Sequence, residues 1–220
     1  MRQRAPGATP VKGPLLKAVQ EFDTATLYEA AGQLGAMVPE IRPLARGMRT
    51  VGPACTVACP PGDNLMLHAA VAGALPGEVL VAQCHDFTFG VWGEVLMTAA
   101  RARGIAGLIL DGAVRDVEAL ERSGFPVFCR AVSMRASIKA RRGILRMPVT
   151  CGGLLVWPGD VVVADETGVV ILPVANLEEV VAKARARQER EAKLMEGLRG
   201  GKTTLELLAL TPLLDDLQQK

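Results

Sequence analysis

The sequence predicts an α/β protein, because one stretch joins a helical pattern to a buried strand and two Pro-Gly turns precede further buried strands. In residues 90–116, glycines lead into an alanine-rich helical pattern that stops at Gly104 and is followed by an apolar strand, Gly107–Asp111. The loops beside this helix and strand lie where α/β proteins bind ligands. Turns at Pro76 and Pro158 each feed a continuous Val/Leu run, as expected before a buried strand.

The first part of the chain predicts an arm, a helix, a strand and a second helix. Residues 1–14 are rich in Pro and Gly and are expected to form a flexible N-terminal arm. Asp23 can cap the helix that follows it. Residues 49–59 suggest a strand, and the Pro-Pro-Gly-Asp turn at 60–63 leads into a short helix over 64–71.

The central helix is expected to begin near Gly93 and to end at Gly104, which can take the left-handed conformation of a C-terminal cap. Four of its residues fall on one face at helical spacing: Val95, Thr98, Ala99 and Ala102. After the strand, Gly112–Asp116 is expected to form a loop before a second helix, Val117–Arg122. The N-termini of the two helices can therefore converge on one anion.

The second half of the chain predicts strands followed by a long terminal helix. Phe125–Cys129 has the pattern of a strand, and Val161–Pro173 that of a hairpin. Asn176 can cap the terminal helix, whose apolar stripe consists of Leu177, Val180, Val181 and Ala184. The later turns of this helix are very polar, and two interpretations stay open: they project onto a neighbouring subunit, or they are a solvated helix face.

The composition fits one α/β domain, residues 15–174, with a C-terminal helical extension, residues 175–220. Lys and Arg (25) barely exceed Asp and Glu (23), and only 4% of residues are aromatic, so nothing favours nucleic acid as a partner. No signal-like or membrane-spanning apolar run is found, so we expect a cytoplasmic protein without a membrane partner. The cysteines form no CxxC pair and are expected to be reduced core thiols: Cys55, Cys59, Cys84, Cys129 and Cys151.

Arg115-Asp116 is the sharpest chemical pair in the sequence. A guanidinium can hold a carboxylate or a developing enolate oxygen, and an adjacent carboxylate can hold a hard cation. The pair therefore suits an oxo acid. The competing interpretation is that Asp116 only caps the next helix and that Arg115 pairs with a surface acid.

The start of the central helix is a second candidate site. The acidic side chain of Glu94 is favourable there for electrostatic reasons alone. The backbone amides of Glu94, Val95 and Leu96 are more informative, because they can receive a carboxylate if the loop Gly90–Gly93 admits a ligand.

Other reactive residues have weaker support. His68 and His85 lie in different predicted elements without metal-ligand spacing, and we expect both to be structural. Lys139 can in principle form a Schiff base, but it lies in a basic run with Arg141 and Arg142 that suggests an exposed surface. No Gly-x-Gly-x-x-Gly follows a strand and no Walker motif is present, so a dinucleotide or adenosylmethionine site is poorly supported.

Several motifs, in the right order over roughly residues 20–200, resemble the RraA-like family. They are Asn64-Leu-x-Leu-His68, Gly93-Glu94, Gly112-Ala-Val-Arg115-Asp116, Gly124-Phe-Pro-Val-Phe, Cys151-Gly-Gly and Pro158-Gly-Asp-Val-Val-Val-Ala-Asp-Glu-x-Gly-Val-Val. That family includes the class II 4-hydroxy-4-methyl-2-oxoglutarate / 4-carboxy-4-hydroxy-2-oxoadipate aldolases. Some members are labelled demethylmenaquinone methyltransferase, against which the missing nucleotide motif argues, and others are regulators of ribonuclease E.

The resemblance implies an α/β/β/α sandwich like the swivelling phosphohistidine domain, assembled as a homotrimer or hexamer. The C-terminal helix is then expected to pack on a neighbouring subunit, with active sites between subunits. Glu94 lies twenty-one positions before Arg115, where the aldolases have an acidic residue, although theirs is Asp. The resemblance thus implies catalytic roles for Arg115, Glu94 and, from the neighbouring subunit, Glu191, with Asp116 as the ligand of Mg²⁺ or Mn²⁺.

The implied reaction is cleavage of a 4-hydroxy-2-oxo acid to pyruvate through an enolate, with decarboxylation of oxaloacetate as a side activity. The substrate would be held by Gly93, the amides of Glu94 to Leu96, and Arg115. The alternative is a regulator that binds a ribonuclease or another protein without catalysis, and a weaker one is a Schiff-base lyase that uses Lys139.

Overall fold

The computed structural model describes residues 13–218, with side chains as far as residue 214, and has a mixed α/β fold. Its helices are α1 Gly13–Val19, α2 Thr24–Ala30, α3 Leu65–Gly73, α4 Glu94–Ala102, α5 Val117–Ser123, α6 Leu177–Arg199, α7 Thr204–Leu207 and α8 Thr211–Gln218, with a 3-10 turn at Val174–Asn176. Its strands are β1 Arg42–Pro43, β2 Thr50–Ala58, β3 Val79–Gln83, β4 Gly90–Trp92, β5 Gly107–Val114, β6 Val127–Val132, β7 Ile144–Leu145, β8 Val149–Cys151, β9 Leu154–Val156, β10 Val161–Ala164 and β11 Val169–Leu172. The predicted arm over residues 1–14 falls, up to residue 12, outside the described residues.

The main sheet is mixed and nearly closed, like a barrel. Its strand order is β1-β6-β5-β3-β2-β10-β11, with β4 paired to β5 and β7 paired to β2. Strands β2, β3, β5 and β6 are parallel neighbours, and the predicted hairpin β10–β11 continues the sheet from β2 in antiparallel pairing. All eight residues of β5 are buried, as expected for a parallel strand covered on both faces. The layered sandwich and the packing of the terminal helix on a neighbouring subunit stay predictions.

Most local predictions are confirmed. Asp23 caps α2, because its Oδ1 accepts a hydrogen bond from the amide of Thr26 at 2.7 Å. The predicted stripe of α6 is buried against α1, α2 and the β10–β11 hairpin. Asn176 occupies the N-cap position of α6 as predicted, but its side chain makes no capping hydrogen bond. The five cysteines are free and buried, and no helix in residues 13–218 is long and apolar enough to cross a membrane.

Helix α4 has the predicted bounds, but the predicted face does not enter the core. The buried residues are Leu96, Met97 and Ala100, whereas Val95 is 74% exposed. The predicted stripe of Val95, Thr98, Ala99 and Ala102 contains mostly small or polar side chains. Leu96 and Met97, which lie between Val95 and Thr98, have longer apolar side chains that bury more area and determine the helix orientation.

Strand β5 continues beyond the predicted end at Asp111 to Val114. The carboxylate of Asp111 is buried because it has two partners: Arg130 Nε donates to Oδ1 at 2.6 Å, and the amide of Gly152 donates to Oδ2 at 2.9 Å. The pairing with β6 shifts register between Leu110 and Ala113, so the chain continues as a strand after an irregularity. The predicted loop Gly112–Asp116 is therefore wrong for its first three residues.

Replacing Arg130 with Met should lower the free energy of unfolding by about 3 kcal/mol, because it leaves the buried carboxylate of Asp111 without its cationic partner. The control is Arg122→Met, which removes an exposed ion pair with Glu118 on α5 and should cost less than about 0.5 kcal/mol. Urea unfolding of both variants measures the difference. Equal losses would contradict a structural role for the buried pair.

Candidate active site

The candidate site is formed where β4 pairs with the end of β5. Gly90 lies opposite Ala113 and Trp92 opposite Val114, in parallel register. The amide of Arg115 then donates to the carbonyl of Trp92 at 2.8 Å. This pairing brings the N-terminus of α4 against the residues that precede α5.

Two glycines make this close approach possible. A Cβ at Gly93 would overlap Asp116 Oδ2 and would lie 3.0 Å from Arg115 Cγ. A Cβ at Gly90 would overlap the carbonyl oxygen of Ser133 and would lie 2.9 Å from Arg115 Cβ. Both positions require glycine because there is no space for a side chain. The backbone conformation is not the reason, since neither glycine has a positive φ.

Asp116 occupies the N-cap position of α5 with a left-handed backbone, φ 55° and ψ 42°. Its side chain makes no capping hydrogen bond to α5. Instead Oδ2 accepts a hydrogen bond from the amide of Glu94 at 3.1 Å and lies 3.5 Å from Arg115 Nε. The structure therefore does not support the interpretation of Asp116 as a simple cap of α5 with Arg115 paired elsewhere on the surface. A strained non-glycine residue whose carboxylate points to another element is typical of a functional position.

A pocket of about 190 Å³ opens above this pair. Five of the predicted site residues line it: Gly93, Val95, Leu96, Arg115 and Asp116. The remaining two do not line it. Glu94 approaches through its amide, and Glu191 lies on α6, where it forms an ion pair with Arg187 at 2.6 Å.

Three further polar residues that line the same pocket, Asn64, His68 and Lys139, were not predicted as its residues from the sequence. Asn64 and His68 come from the first turn of α3 and the residue before it, so the expectation that His68 is only structural is not supported. The one available signal was the spacing of Asn64 and His68, because residues four apart share a helix face.

Three buried polar atoms at this pocket have no hydrogen-bond partner among the described residues: Asn64 Oδ1, His68 Nε2 and Trp92 Nε1. Asn64 Nδ2 donates to the carbonyl of Val91 at 2.9 Å, which fixes the amide so that its oxygen is the free atom. Buried polar groups are rarely left unpaired. We interpret these atoms as contacts for a ligand or for ordered water.

The electrostatics of the pocket keep His68 neutral. Burial and, second, the positive charge of Lys139 lower the pKa of His68 below 6.5. His85, in contrast, lies outside this pocket, with Nδ1 at 3.9 Å from Asp111 Oδ2. A neutral imidazole can donate or accept a hydrogen bond, but it adds no charge to the site.

The side chains at this pocket suit a divalent cation that keeps most of its bound water better than a cation held entirely by protein ligands. Among the described residues, no group of three or more His, Cys, Asp or Glu side chains could hold a metal ion. Asp116 offers one carboxylate, and within the described part of the chain its Oδ1 accepts no hydrogen bond. Mg²⁺ typically binds one or two carboxylates and completes its shell with water and substrate oxygens. Asp116 is therefore a suitable single protein ligand.

A larger groove, of about 680 Å³, lies between α1 and α6. Its walls are formed mainly by aliphatic side chains, with Glu178, Arg185 and Glu189 at the rim. It contains none of the strained or unpaired polar groups described above. We therefore assign the chemistry to the smaller pocket.

Comparisons with known proteins agree with this fold. The Aldolase/RraA family model, described as RraA-like, matches residues 24–171. A protein of Halalkalibacterium halodurans named "Putative 4-hydroxy-4-methyl-2-oxoglutarate aldolase" is 37% identical over 166 residues, which cover 75% of this chain and 79% of that protein.

Two solved structures are similar over most of the chain. An uncharacterized protein of Pseudomonas syringae pv. tomato is 28% identical, with a TM-score of 0.78, over 90% of this chain and 98% of that chain. Streptomyces coelicolor RraAS2, described as an unusual member of the RNase ES inhibitor RraA protein family, is 27% identical, with a TM-score of 0.76, over 86% of this chain and 99% of that chain.

The left-handed backbone of Asp116 predicts a stability difference between two substitutions. Asp116→Gly should be more stable than Asp116→Ala by about 1 kcal/mol, because glycine takes φ 55° without the Cβ clash. Both variants lose the carboxylate, so thermal unfolding of the pair isolates the backbone contribution. Equal melting temperatures would show that the backbone at this position relaxes in solution.

The surroundings of His68 predict the direction of its pKa shift and how that pKa responds to a substitution at Lys139. Its imidazole pKa should lie below 6.5 and should rise in Lys139→Gln, since the second cause of its depression is removed. Arg142→Gln, which changes an exposed charge outside the pocket, should leave it unchanged. The pH dependence of the imidazole NMR signals measures all three proteins. A pKa of His68 that does not respond to Lys139→Gln would refute the electrostatic contact.

Proposed function

The chain belongs to the RraA-like family, and we propose that it is a divalent-metal-dependent aldolase that cleaves 4-hydroxy-2-oxo acids of the 4-hydroxy-4-methyl-2-oxoglutarate type to pyruvate. The observation that carries the proposal is the placement of Arg115 and strained Asp116 against the N-terminus of α4. That arrangement suits a 2-oxo acid, which brings a carboxylate and a neighbouring carbonyl oxygen. The name of the Halalkalibacterium halodurans relative supports the same activity.

The substrate C1 carboxylate would bind at the first turn of α4. The amide of Glu94 already donates to Asp116, whereas the amides of Val95 and Leu96 belong to the first turn and have no partner within the helix. Both residues line the pocket. A helix N-terminus with free amides favours a carboxylate through hydrogen bonds and through the helix dipole.

Arg115 would stabilise the charge that develops on the 2-oxo oxygen. Its only ion pair within the described residues runs from Nε to Asp116, so the terminal guanidinium nitrogens remain able to donate. As the C3–C4 bond breaks, its electron pair moves into the enolate, and negative charge builds on the 2-oxo oxygen. A cation placed there before the reaction stabilises that transition state more than the ground state.

Asp116 would hold the divalent cation, Mg²⁺ or Mn²⁺. When bound, the ion would supply a second positive charge to stabilise the enolate. Asp116 is suitably oriented, because one of its oxygens is fixed by the amide of Glu94. The same hydrogen bond also fixes the direction of the other carboxylate oxygen, Oδ1.

The proton of the 4-hydroxyl must be removed as the C3–C4 bond breaks, and C3 of the enolate must later gain one to give pyruvate. Glu94 and Glu191 are the candidates to steer these transfers. Glu191 does not line the pocket of its own chain, so its part requires a neighbouring copy, as in a homotrimer or hexamer. The same enolate forms when oxaloacetate loses CO₂, which makes oxaloacetate decarboxylation the expected side activity.

A non-catalytic regulator is the second candidate. It is favoured by the similarity to Streptomyces coelicolor RraAS2, a member of the RNase ES inhibitor RraA protein family. A protein partner such as a ribonuclease would then bind the surface of the molecule. Pull-down with a purified ribonuclease tests this directly. Stoichiometric binding of the ribonuclease to this protein, together with no pyruvate release in the activity assay, would favour the regulator.

Pyruvate release from oxaloacetate and from 4-hydroxy-4-methyl-2-oxoglutarate should depend on metal and on the Arg115-Asp116 pair. EDTA should abolish pyruvate release, and added Mg²⁺ or Mn²⁺ should restore it. Asp116→Ala should also abolish release, and Arg115→Ala should lower turnover about a hundredfold or more. A coupled lactate dehydrogenase assay measures the rates.

The control for this assay is Arg122→Ala, which removes an exposed guanidinium outside the pocket and should leave turnover unchanged. Wild-type turnover in Arg115→Ala would refute its role. No release from either substrate with any divalent metal would refute the aldolase.

A further inference from the structure

We propose that Cys59 and Cys84 form a peroxide-sensitive thiol pair, which closes to a reversible disulfide between the ends of β2 and β3 and so alters the neighbouring pocket. Neither cysteine lines that pocket. The chemistry of the pair is independent of the proposed aldolase function, and the inference goes beyond it.

The two cysteines occupy facing positions on neighbouring parallel strands. The register of β2 and β3 runs as far as Ala58 opposite Gln83, so Cys59 and Cys84 are the next facing residues. The ladder continues there, because the amide of Cys59 donates to the carbonyl of Gln83 at 2.9 Å. Facing side chains of neighbouring strands point to the same side of a sheet. Such strands lie about 4.8 Å apart, which is within the roughly 4.4–6.8 Å between the Cα atoms of a disulfide.

The two thiols are also in contact. A side-chain hydrogen bond between Cys84 and Cys59 is the largest cause that raises the pKa of the Cys84 thiol well above its ordinary value, and burial is the second. Cys84 therefore keeps its proton and donates it to the sulfur of Cys59. When the pair loses one proton, the negative charge rests on Cys59. Because the thiolate is the form that attacks an oxidant, Cys59 is the residue that reacts first.

Access from solvent favours the same order of reaction. The exposed fraction of Cys59 is 9%, compared with 2% for Cys84 and 0% for Cys151. A small oxidant such as hydrogen peroxide therefore meets Cys59 before the other two. Cys55 and Cys129 are expected to stay reduced, because burial raises the pKa of each thiol to about 11.

The reaction consumes one hydrogen peroxide. The sulfur of Cys59 attacks one peroxide oxygen, the O–O bond breaks, and the thiol proton converts the leaving hydroxide into water. This step leaves a sulfenic acid on Cys59. The sulfur of Cys84 then attacks that of Cys59, the S–O bond breaks, and the hydroxyl leaves as water with the proton of Cys84. Two thiols are oxidised to one disulfide, one peroxide is reduced to two waters, and a dithiol reverses the change by exchange.

The disulfide acts on the pocket through the turn that follows Cys59. The Cβ atoms of a disulfide lie about 3.8 Å apart, which is closer than neighbouring strands, so closing the bond pulls the end of β2 toward β3. The turn over residues 60–63 begins at this point, and Asn64, which lines the pocket, follows it directly. In the same turn, the carboxylate of Asp63 accepts a hydrogen bond from the amide of Ala140 at 2.8 Å. The turn therefore connects the thiol pair to two segments of the pocket lining.

Peptide mapping of the full chain after reduction and brief treatment with hydrogen peroxide tests the disulfide. Trypsin leaves both cysteines in one peptide, because residues 50–100 contain no Lys or Arg. A protease that cleaves after Asp and Glu separates them at Asp63 and Glu78, so only a disulfide keeps the two peptides together. The wild type should lose the mass of two hydrogen atoms, and dithiothreitol should restore it.

Matched variants assign the bond. Cys59→Ala and Cys84→Ala should each prevent it, and Cys84→Ala should stop at a sulfenic acid on Cys59 that dimedone traps. Cys55→Ala, which changes a buried thiol four residues earlier on the same strand, should still form the disulfide. Absence of a disulfide in the folded wild type, or a bond from Cys84 to Cys151, overturns the inference.

The imidazole NMR signals test the effect on the pocket without any substrate. His85 directly follows Cys84 and should change when the disulfide forms. His68, on α3, should change as well if the pull on the turn reaches the pocket. Both changes should be reversed by dithiothreitol and be absent in Cys84→Ala. A disulfide that leaves the signals of His68 unchanged overturns the link to the pocket, and neither result bears on the aldolase proposal.

Discussion

The parallel pairing of β4 with the end of β5 is the contact on which the candidate site depends. It is only three residues long, yet it places the start of α4 against Arg115 and Asp116. Any side chain at Gly90 or Gly93 would separate the two segments. The site is therefore defined by backbone proximity, and the charged side chains are positioned by it.

Asp116 shows how this proximity is used. A carboxylate next to a helix N-terminus is electrostatically favourable, and the hydrogen bond from Glu94 orients it while leaving one oxygen free. Oriented ligand carboxylates are a general feature of metal sites. The contribution of Glu94 that the structure shows comes from its amide, which every residue type except proline supplies. The difference between Glu at this position and the Asp of the aldolases therefore leaves this contact unchanged.

Much of the fold depends on neighbouring residues and could be predicted from the sequence. Features that depend on residues distant in sequence could not. The cap at Asp23, the stop at Gly104 and the hairpin β10–β11 depend on neighbouring residues, and each was predicted. The buried face of α4 and the extension of β5 depend on packing and on partners such as Arg130, which are distant in sequence. For the same reason Arg115-Asp116 was found, whereas the wall with His68 and Lys139 was not. That wall combines the start of α3 with a segment more than seventy residues later, which no local pattern indicates.

The two walls of the pocket differ in what fixes them. The wall that contains Arg115 and Asp116 is built from backbone amides, two glycines and an adjacent ion pair, so a substitution there would displace the charged side chains. On the other wall, Asp63 and the bridge at Ile138 hold the backbone, and the side chain at position 139 can vary without moving it. The volume of about 190 Å³ is below the roughly 300–1,000 Å³ of sites for drug-sized ligands, which favours a small ligand. A substitution at position 139 should therefore change the charge of this small pocket without moving the segment that carries Arg115 and Asp116.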